Sequence, residues 1–420
     1  MCWYKDTEAG AMIERNSYLN QLLDWKDKNI IKVLTGIRRC GKSTILKQFQ
    51  SYLMNHGVAE NQIISINFEE MEFDELLDYK KLYQYIKERM VDHKRMYIFL
   101  DEVQNVSMYE KVVDSLYVKE DIDVYITGSN SYIFSSQLAT RLSGRYVEIP
   151  VLPFSFKEFY SSQKDLDKDS AFHEYMMVGG FPYITQAYLQ DEMINMYMEG
   201  IYNTILVKAI EERINRKQQE LNPKNITDVS LLKAISKYLS SVLGSPVSIR
   251  SIANYFKSNE RKISPNTVSV YVDALCEVYL YYPVEAMDIS GKEVLKSNKK
   301  FYIVDTGIRN FILPKQRYDL GFTLENIVYF ELLRRKYLVN VGKLGQTEVD
   351  FIAKKDGVYT YFQVTASMVD KSTFQREIRP LQEIRDNYEK IILTLNRFTL
   401  GNYEGIKVIH VIDWLLEDNN

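Results

Sequence analysis

The sequence predicts a multidomain α/β protein whose first domain is built around a parallel β-sheet. The chain has 420 residues, and one domain per roughly 150 residues implies more than a single domain. Between residues 30 and 151, short runs rich in Val, Ile, Leu and Tyr alternate with stretches of helical spacing. Strands that alternate with helices in this way form parallel sheets with crossover helices. The strands predicted from these runs are Ile30–Thr35, Gln62–Phe68, Met96–Leu100, Asp123–Thr127 and Tyr146–Val151.

The composition excludes several classes of protein. A hydrophobic fraction of 46% with 26% charged residues argues against a disordered or collagen-like chain. The net charge is −3, so a nucleic-acid contact would need a local basic patch. Three scattered cysteines (Cys2, Cys40 and Cys276) and four scattered histidines predict neither a disulfide framework nor a zinc site. Because no apolar run is long enough to span a bilayer, we expect a soluble, cytoplasmic protein without membrane contact.

The first predicted strand leads into a phosphate-binding loop. Gly36–Ser43 reads G-x-x-x-x-G-K-S, and Thr44–Tyr52 has helical spacing, which is the strand–loop–helix context that this motif requires. The loop N–H groups and the helix N-terminus attract phosphate, while Lys42 reaches the β- and γ-phosphates and Ser43 ligates Mg²⁺. We therefore predict nucleotide contacts along the whole segment: Gly36, Ile37, Arg38, Arg39, Cys40, Gly41, Lys42, Ser43 and Thr44.

An Asp-Glu pair follows the third predicted strand. Asp101 stands where a carboxylate helps to hold Mg²⁺, and Glu102 can orient and polarise the attacking water. One strand lies between the phosphate loop and this pair, which is typical of the ATPase branch of the phosphate-loop fold, and no guanine-specifying Asn-Lys-x-Asp is present. ATP is therefore the predicted nucleotide. After the next strand, Ser129 or Asn130 is either a sensor of the γ-phosphate or a simple turn residue, and we weigh the two readings evenly.

Four segments together resemble the prokaryotic AAA+-type ATPases that carry a C-terminal DUF4143-type region. They are Gly36–Thr44 (GIRRCGKST), Tyr97–Gln104 (YIFLDEVQ), Tyr125–Ser131 (YITGSNS) and Leu138–Phe159. The later stretches Val178–Pro182 and Phe301–Asp305 are also similar to this family.

The resemblance implies a role for each matching residue. Lys42 and Glu102 would be catalytic, Ser43 and Asp101 would hold Mg²⁺, and Ser129 or Asn130 would sense the nucleotide. Arg145, or Arg141 just before it, would be an arginine finger or a sensor of the γ-phosphate. A finger supplied to a neighbouring subunit would make hydrolysis depend on a homo-oligomer. The alternative for Arg145 is an ordinary surface arginine. Within the loop, Arg38 and Arg39 would face phosphates or solvent, and Cys40 would be a small filler rather than a reactive thiol.

The rest of the chain divides into three predicted domains after the ATPase core of residues 1–153. Helices over Phe154–Tyr160, Ala171–Val178 and Asp191–Arg216 predict a helical lid over residues 154–222. Residues 225–312 are predicted to form a winged helix, and residues 313–420 a nuclease-like domain.

The winged-helix prediction rests on three helices, two short strands and a basic hairpin, Ser290–Lys300. The helices are Leu231–Leu243, Ser248–Phe256 and Pro265–Val278, and the strands are Leu280–Val284 and Phe301–Val304. Such a module binds double-stranded DNA or packs against protein, and we weigh the two uses near evenly. The basic residues available to DNA would be Arg261, Lys262, Lys292, Lys296, Lys299 and Lys300.

The C-terminal domain resembles the restriction-endonuclease-like α/β core. A predicted helix over Leu324–Val339 precedes two strands, Gly345–Ala353 and Val358–Ala366. Asp350 and Gln363 match the metal-ligand positions of that fold, but Thr365 stands where the catalytic lysine belongs. We therefore predict a degenerate nuclease used for binding or assembly. The alternative is an active nuclease with a relocated lysine: Lys354, Lys355 or Lys371.

Together these patterns predict a Mg²⁺-dependent ATPase that couples its nucleotide state to the C-terminal modules. Two alternatives from other functional classes are an ATP-gated, metal-dependent nuclease and a nucleotide-regulated protein-interaction scaffold.

Overall fold

The computed structural model describes residues 13–131, 144–163, 165–186, 189–216, 228–295, 298–313 and 319–418. These residues form two compact units. The first comprises residues 13–153 with the short segment 277–279, and the second comprises the remaining described residues from 154 onward. Arg141 and Lys296, which the sequence singled out, lie outside the described residues.

The first unit is a five-stranded parallel sheet with helices on its faces. The strand order is β2-β3-β4-β1-β5 and every pairing is parallel, so the predicted parallel-sheet core is confirmed. Its strands are β1 (Ile31–Thr35), β2 (Ile63–Asn67), β3 (Met96–Asp101), β4 (Ile122–Gly128) and β5 (Tyr146–Pro150). Its helices are α1 (Asn16–Trp25), α2 (Lys42–Asn55), α3 (Tyr79–Glu88) and α4 (Tyr109–Tyr117).

The central strands of this sheet explain why the core forms. Strands β1, β3 and β4 are buried along their whole length, as expected for a parallel sheet covered on both faces. Helix α2 turns a fully buried stripe toward the sheet, because Ile45, Phe49 and Leu53 recur every four residues. Since all strands run in one direction, their carboxyl ends meet at one edge, and the loops after β1, β3 and β4 converge there.

The second unit begins with a group of helices. They are α5 (Phe156–Ser162), α6 (Lys168–Val178), α7 (Pro182–Gln186), α8 (Asp191–Arg216), α9 (Val229–Ser241), α10 (Ile249–Ser258) and α11 (Pro265–Glu277). Short polar side chains fix several helix starts. Ser155 forms a capping box with Glu158, and Asp228 and Ser248 accept hydrogen bonds from N–H groups in the first turns of α9 and α10.

Two sheets complete the second unit. Strands β6 (Tyr281–Val284) and β8 (Lys300–Ile303) form an antiparallel pair. A mixed seven-stranded sheet has the order β13-β14-β12-β11-β10-β9-β7. Its strands are β7 (Ala286–Asp288), β9 (Leu338–Leu344), β10 (Thr347–Lys355), β11 (Val358–Thr365), β12 (Glu389–Thr394), β13 (Gly401–Tyr403) and β14 (Ile406–His410). The accompanying helices are α12 (Thr306–Ile312), α13 (Leu320–Arg334), α14 (Lys371–Gln382) and α15 (Val411–Leu416).

One local prediction for this unit was wrong. The helix predicted to reach Val339 ends at Arg334, because Lys336 adopts a left-handed backbone with φ of 64° and the chain then enters β9. The hairpin predicted as a basic wing, Ser290–Lys300, lies beside the large sheet, because its Val294 forms a bridge to Met287 of β7, which pairs in parallel with β9. Lys292 of that hairpin donates hydrogen bonds to the Tyr361 hydroxyl and to the Asp386 carboxylate.

Within the ranges that the structure describes, no helix is both long enough and apolar enough to cross a membrane.

Candidate functional site

The phosphate loop links the end of β1 to the start of α2, and its shape depends on left-handed backbone positions. Gly36, Arg39 and Gly41 have φ of 142°, 65° and 100°. At Gly36 a side chain is excluded by space as well, because a Cβ there would lie 2.0 Å from the carbonyl oxygen of Val151. The first glycine of the motif is therefore required by close packing against the chain that leaves β5.

Lys42 is the first residue of α2 and its side chain is buried in the loop. Its Nζ donates to the carbonyl oxygens of Gly36 and Ile37, at 2.9 and 3.2 Å. The same ammonium lies 3.7 Å from the Glu102 carboxylate. The predicted phosphate-binding lysine and the predicted catalytic base are thus brought together at one point.

The Asp-Glu pair at the end of β3 is held by Thr127 of the neighbouring strand β4. The Thr127 hydroxyl donates to the Asp101 carboxylate and accepts a hydrogen bond of 2.8 Å from the backbone N–H of Glu102. Glu102 itself has a left-handed backbone, with φ of 54°. This single hydroxyl fixes both the side chain of Asp101 and the direction in which the chain leaves the strand.

The carboxylate of Glu102 is surrounded by hydrogen-bond donors. Its Oε2 accepts from the Ser129 hydroxyl at 2.9 Å and from the Gln104 amide at 2.6 Å. Burial alone would raise the pKa of Glu102, but the Lys42 ammonium and these two hydrogen bonds lower it overall. Glu102 is therefore ionised at neutral pH and able to accept a proton.

The two sensor candidates follow β4 directly and both are buried. Ser129 contacts Glu102, so it belongs to the same cluster as the predicted base. Asn130 is the next residue at this edge of the sheet, where the loops after β1, β3 and β4 converge.

The remaining loop residues have other contacts. Arg38 forms an ion pair with Glu69, at 2.7 Å, on the segment after β2. Cys40 is fully buried, and burial raises the pKa of its thiol, as expected for a filler rather than a nucleophile. Its carbonyl oxygen accepts a 3.0 Å hydrogen bond from the guanidinium of Arg15, a buried residue just before α1.

The sequence interpretation missed Thr127, Gln104 and Arg15. Thr127 and Gln104 lie inside segments that were singled out, and a polar residue near the end of an apolar strand is a weak signal for them. Nothing in the local sequence marks Arg15, because its partner lies 25 residues further along the chain.

Arg145 lies away from the phosphate loop of its own chain. It precedes β5, and the register pairs Ile31 with Tyr146 and Thr35 with Pro150. Arg145 is therefore at the amino end of the sheet, about one strand length or ~16 Å from the loop. There it forms an ion pair of 2.5 Å with Asp114 and stacks over Tyr117, so the structure does not join it to the cluster around Lys42.

The side chains at this edge suit a nucleotide-bound Mg²⁺. Mg²⁺ prefers hard oxygen ligands and is commonly held by one or two protein groups together with phosphate oxygens and water. The hydroxyl of Ser43 at the start of α2 and the Asp101 carboxylate at the end of β3 are donors of this kind. Among the residues that the structure describes, no cluster of three or more His, Cys, Asp or Glu side chains could bind a metal by itself.

The family comparisons agree with this geometry. Residues 28–160 match the family model described as AAA domain, and residues 169–319 match the model described as domain of unknown function DUF8612. The expected DUF4143-type region is therefore wrong, and DUF8612 stands in its place.

Full-length relatives extend the match beyond these two regions. An uncharacterized protein of Haemophilus influenzae is 38% identical over 97% of this chain and 99% of its own length. The uncharacterized protein MJ1544 of Methanocaldococcus jannaschii is 28% identical over 92% of this chain and 85% of its own length. Among solved structures, the Walker-type ATPase PABY2304 of Pyrococcus abyssi is similar with a TM-score of 0.46 and 14% identity, covering 71% of this chain and 95% of that one. A parallel sheet of this order, a phosphate loop after its interior strand β1 and the matching AAA domain together show that the chain belongs to the AAA+-type ATP-binding family, with DUF8612 following its AAA domain.

Proposed function

We propose that the protein binds ATP at the Gly36–Thr44 loop and hydrolyses it with Glu102 as the general base. The observation that carries this proposal is the position of the Lys42 ammonium, between the loop carbonyls and the Glu102 carboxylate. An arriving polyphosphate would draw this cation toward its β- and γ-oxygens, while the loop N–H groups and the N-terminus of α2 bind the phosphates.

In the proposed reaction, water attacks the γ-phosphorus and its proton passes to Glu102. The new P–O bond forms as the bond to the β–γ bridging oxygen breaks, which leaves ADP and phosphate. Ser129 and Gln104 orient the Glu102 carboxylate through their hydrogen bonds. Ser43 and Asp101 would hold Mg²⁺, whose positive charge would help to stabilise the ADP leaving group.

The test compares wild type with Glu102→Gln and Lys42→Ala. Loss of the base should lower turnover by about 100-fold or more while ATP still binds, because the amide keeps the shape of the carboxylate but accepts no proton. Loss of Lys42 should weaken ATP binding itself. Glu69→Gln is the matched control, since Glu69 is an exposed carboxylate beside the loop that pairs with Arg38. Wild-type turnover in Glu102→Gln would remove Glu102 as the base, and failure of wild type to bind ATP would overturn the proposal.

We further propose that residues 228–303 form a winged helix used for packing rather than for reading DNA. Three helices precede the β6–β8 pair, and a bridge between Val247 and Lys299 adds a third strand position, which supports the winged-helix topology. Four of the six basic residues expected to meet DNA form ion pairs within the fold, among them Lys292 with Asp386. Arg261 pairs with Asp228, Lys299 with Glu285, and Lys300 with Glu325 and Glu348.

ATPase turnover with and without double-stranded DNA tests this second proposal. We expect the same rate in both conditions. Stimulation by DNA that falls when exposed Lys262 is replaced by Glu would instead favour a DNA-associated ATPase.

A further inference from the structure

A buried lysine occupies the centre of a carboxylate cluster in the second unit. Lys300 is the first residue of β8, and its side chain is only 4% exposed. Its Nζ lies 3.1 Å from Glu325 on α13 and 2.7 Å from Glu348 on β10. Asp350, also on β10, lies 4.0 Å from the same nitrogen. One ammonium thus faces three carboxylates that come from two different elements.

Each carboxylate is also oriented by a neighbour outside the cluster. The Tyr302 hydroxyl donates a 2.6 Å hydrogen bond to Glu325, and Lys343 pairs with the second oxygen of Glu348. The second oxygen of Asp350 accepts a 2.8 Å hydrogen bond from the backbone N–H of Val364. Glu348 and Asp350 each keep one oxygen for Lys300, and Lys300 shares one oxygen of Glu325 with Tyr302, so the cluster is built around a cation.

The position of this cluster matters because a nuclease-like fold would hold a divalent metal there. Asp350 and Gln363 are the expected metal ligands, and the structure brings them together: the backbone N–H of Asp350 donates to the Gln363 side chain at 3.3 Å. Gln363 is in turn bonded to Glu377, at 3.0 Å. At the position of the catalytic lysine, the Thr365 hydroxyl donates to the Ser367 carbonyl. These residues do not fit a metal-activated water, because the cation position is already filled and the lysine that would stabilise hydroxide is replaced.

We propose that the Lys300 ammonium takes the place of a divalent cation in this cluster. The domain then places its own side chain among these acidic residues in place of a metal ion, which makes it a non-cleaving module. The internal cation also ties β8 to α13 and β10, since an ammonium among three carboxylates cannot leave without exposing uncompensated charge. This inference is independent of the proposed ATPase reaction.

Removing the lysine should therefore create a metal site. Mn²⁺ binding is measured by electron paramagnetic resonance without nucleotide, in a chain that carries Asp101→Asn to silence the ATP site. The parent should bind no Mn²⁺, whereas Lys300→Met should bind one ion, which the further change Asp350→Asn should weaken at least tenfold. Lys343→Met is the matched control, because Lys343 pairs with the outer oxygen of Glu348 and should create no site.

Thermal unfolding gives a second measurement that does not depend on the resonance signal. Lys300→Met should unfold at a lower temperature than the parent in EDTA, and Mn²⁺ should restore part of that loss. Should the Met variant not fold, Lys300→Gln makes a smaller change in shape and is expected to show the same rescue. If folded Lys300 variants neither bind Mn²⁺ nor gain stability from it, the cluster is an ordinary ion-pair network and the proposal is wrong. The proposal would also be overturned if the parent bound Mn²⁺ or cleaved nucleic acid and Asp350→Asn abolished that activity.

Discussion

At the scale of single residues, Lys42 and Glu102 depend on each other in this conformation. The ammonium stabilises a carboxylate that would otherwise be buried without a counter-charge. In the proposed reaction, phosphates would draw Lys42 away, the contribution that lowers the pKa of Glu102 would be lost, and the carboxylate would become a stronger base. Nucleotide binding and activation of the proposed base would then be linked through one side chain.

Thr127 should be a positioning residue of the proposed reaction. Thr127→Val removes the hydroxyl that orients Asp101 and the Glu102 backbone, so we expect turnover to fall by about 10–100-fold with little change in ATP affinity. Steady-state turnover and equilibrium ATP binding measure the two effects separately. Thr127→Ser keeps the hydroxyl and should restore most of the rate. A Val variant with wild-type turnover would contradict the assignment.

Replacing Arg15 should change the affinity for ATP rather than the rate of ATP hydrolysis. Its guanidinium holds the Cys40 carbonyl, and in a trans peptide the next N–H, that of Gly41, points the opposite way, away from Arg15. Arg15→Met frees this peptide to rotate, so we expect ATP binding to weaken by roughly tenfold with turnover at saturation nearly unchanged.

The control for this experiment is Arg95→Met. Arg95 also donates to backbone carbonyls in the same unit, those of Asp27 and Glu120, but at the amino end of the sheet. The Arg95→Met substitution should leave ATP affinity unchanged. Equal effects of the two substitutions would mean that Arg15 contributes stability alone.

The sequence was informative about residues whose roles follow from local spacing. Lys42, Ser43, Asp101 and Glu102 could all be proposed as site residues, because each belongs to a motif at the end of a strand, and the structure places them at the same edge of the sheet. Thr127 and Arg15 could not be assigned, since their partners are set by sheet register and by packing across 25 residues or more. Lys300 was grouped with a DNA-facing hairpin, because its burial depends on elements that come later in the chain.

At the scale of elements, the five strands of the first sheet were predictable to within a residue or two. Their apolar runs are short and bounded by polar turns, and β1, β3 and β4 are buried on both faces, which gives a clear pattern. The segment after α13 was harder. Only three residues separate the end of α13 at Arg334 from the start of β9 at Leu338. The helical and strand patterns of apolar residues therefore overlap there.

Asp305, which links the end of α6 to the start of α12, should make the free energy of unfolding depend on pH. Asp305 accepts hydrogen bonds from the backbone N–H groups of Gly180 and Ile308. Burial raises its pKa to about 6, in spite of the lowering effect of these hydrogen bonds. The folded state therefore binds this proton more tightly than the unfolded state, in which an Asp pKa is about 3.9.

Because the pKa of Asp305 is higher in the folded state, its contribution to the free energy of unfolding is largest below about pH 4. This contribution is then lost as the pH rises through about 6. We expect the free energy of unfolding of wild type, minus that of Asp305→Asn, to fall by up to about 3 kcal/mol between pH 4 and pH 7. Urea unfolding at several pH values measures this difference. A constant difference would mean that Asp305 does not titrate in this range.

At the scale of the whole molecule, the position of Arg145 raises the question of whether hydrolysis requires two chains to associate. Because Arg145 lies at the amino end of its own sheet, it can reach a nucleotide only in a neighbouring chain. If it is a finger in trans, turnover per chain should rise with protein concentration, and Arg145→Ala should lower saturated turnover by about 1,000-fold.

Mixing distinguishes a finger from a structural arginine. Arg145→Ala retains its own Lys42 and Glu102, and Lys42→Ala retains its own Arg145. A mixture of the two should therefore recover activity that neither has alone. Full turnover of Arg145→Ala at saturating ATP would leave Arg145 as a surface residue paired with Asp114.

The parallel pairing of β7 with β9 has a consequence for how the protein can be divided. A chain that began at residue 313 would lack β7, and β9 would then present a row of unpaired N–H and C=O groups. Such an open edge invites another strand, from a second copy or from a misfolded chain. The C-terminal sheet should therefore aggregate when the chain is cut at the predicted boundary of residue 313, whereas a cut before residue 154 keeps β6, β7 and β8 and should leave this edge covered.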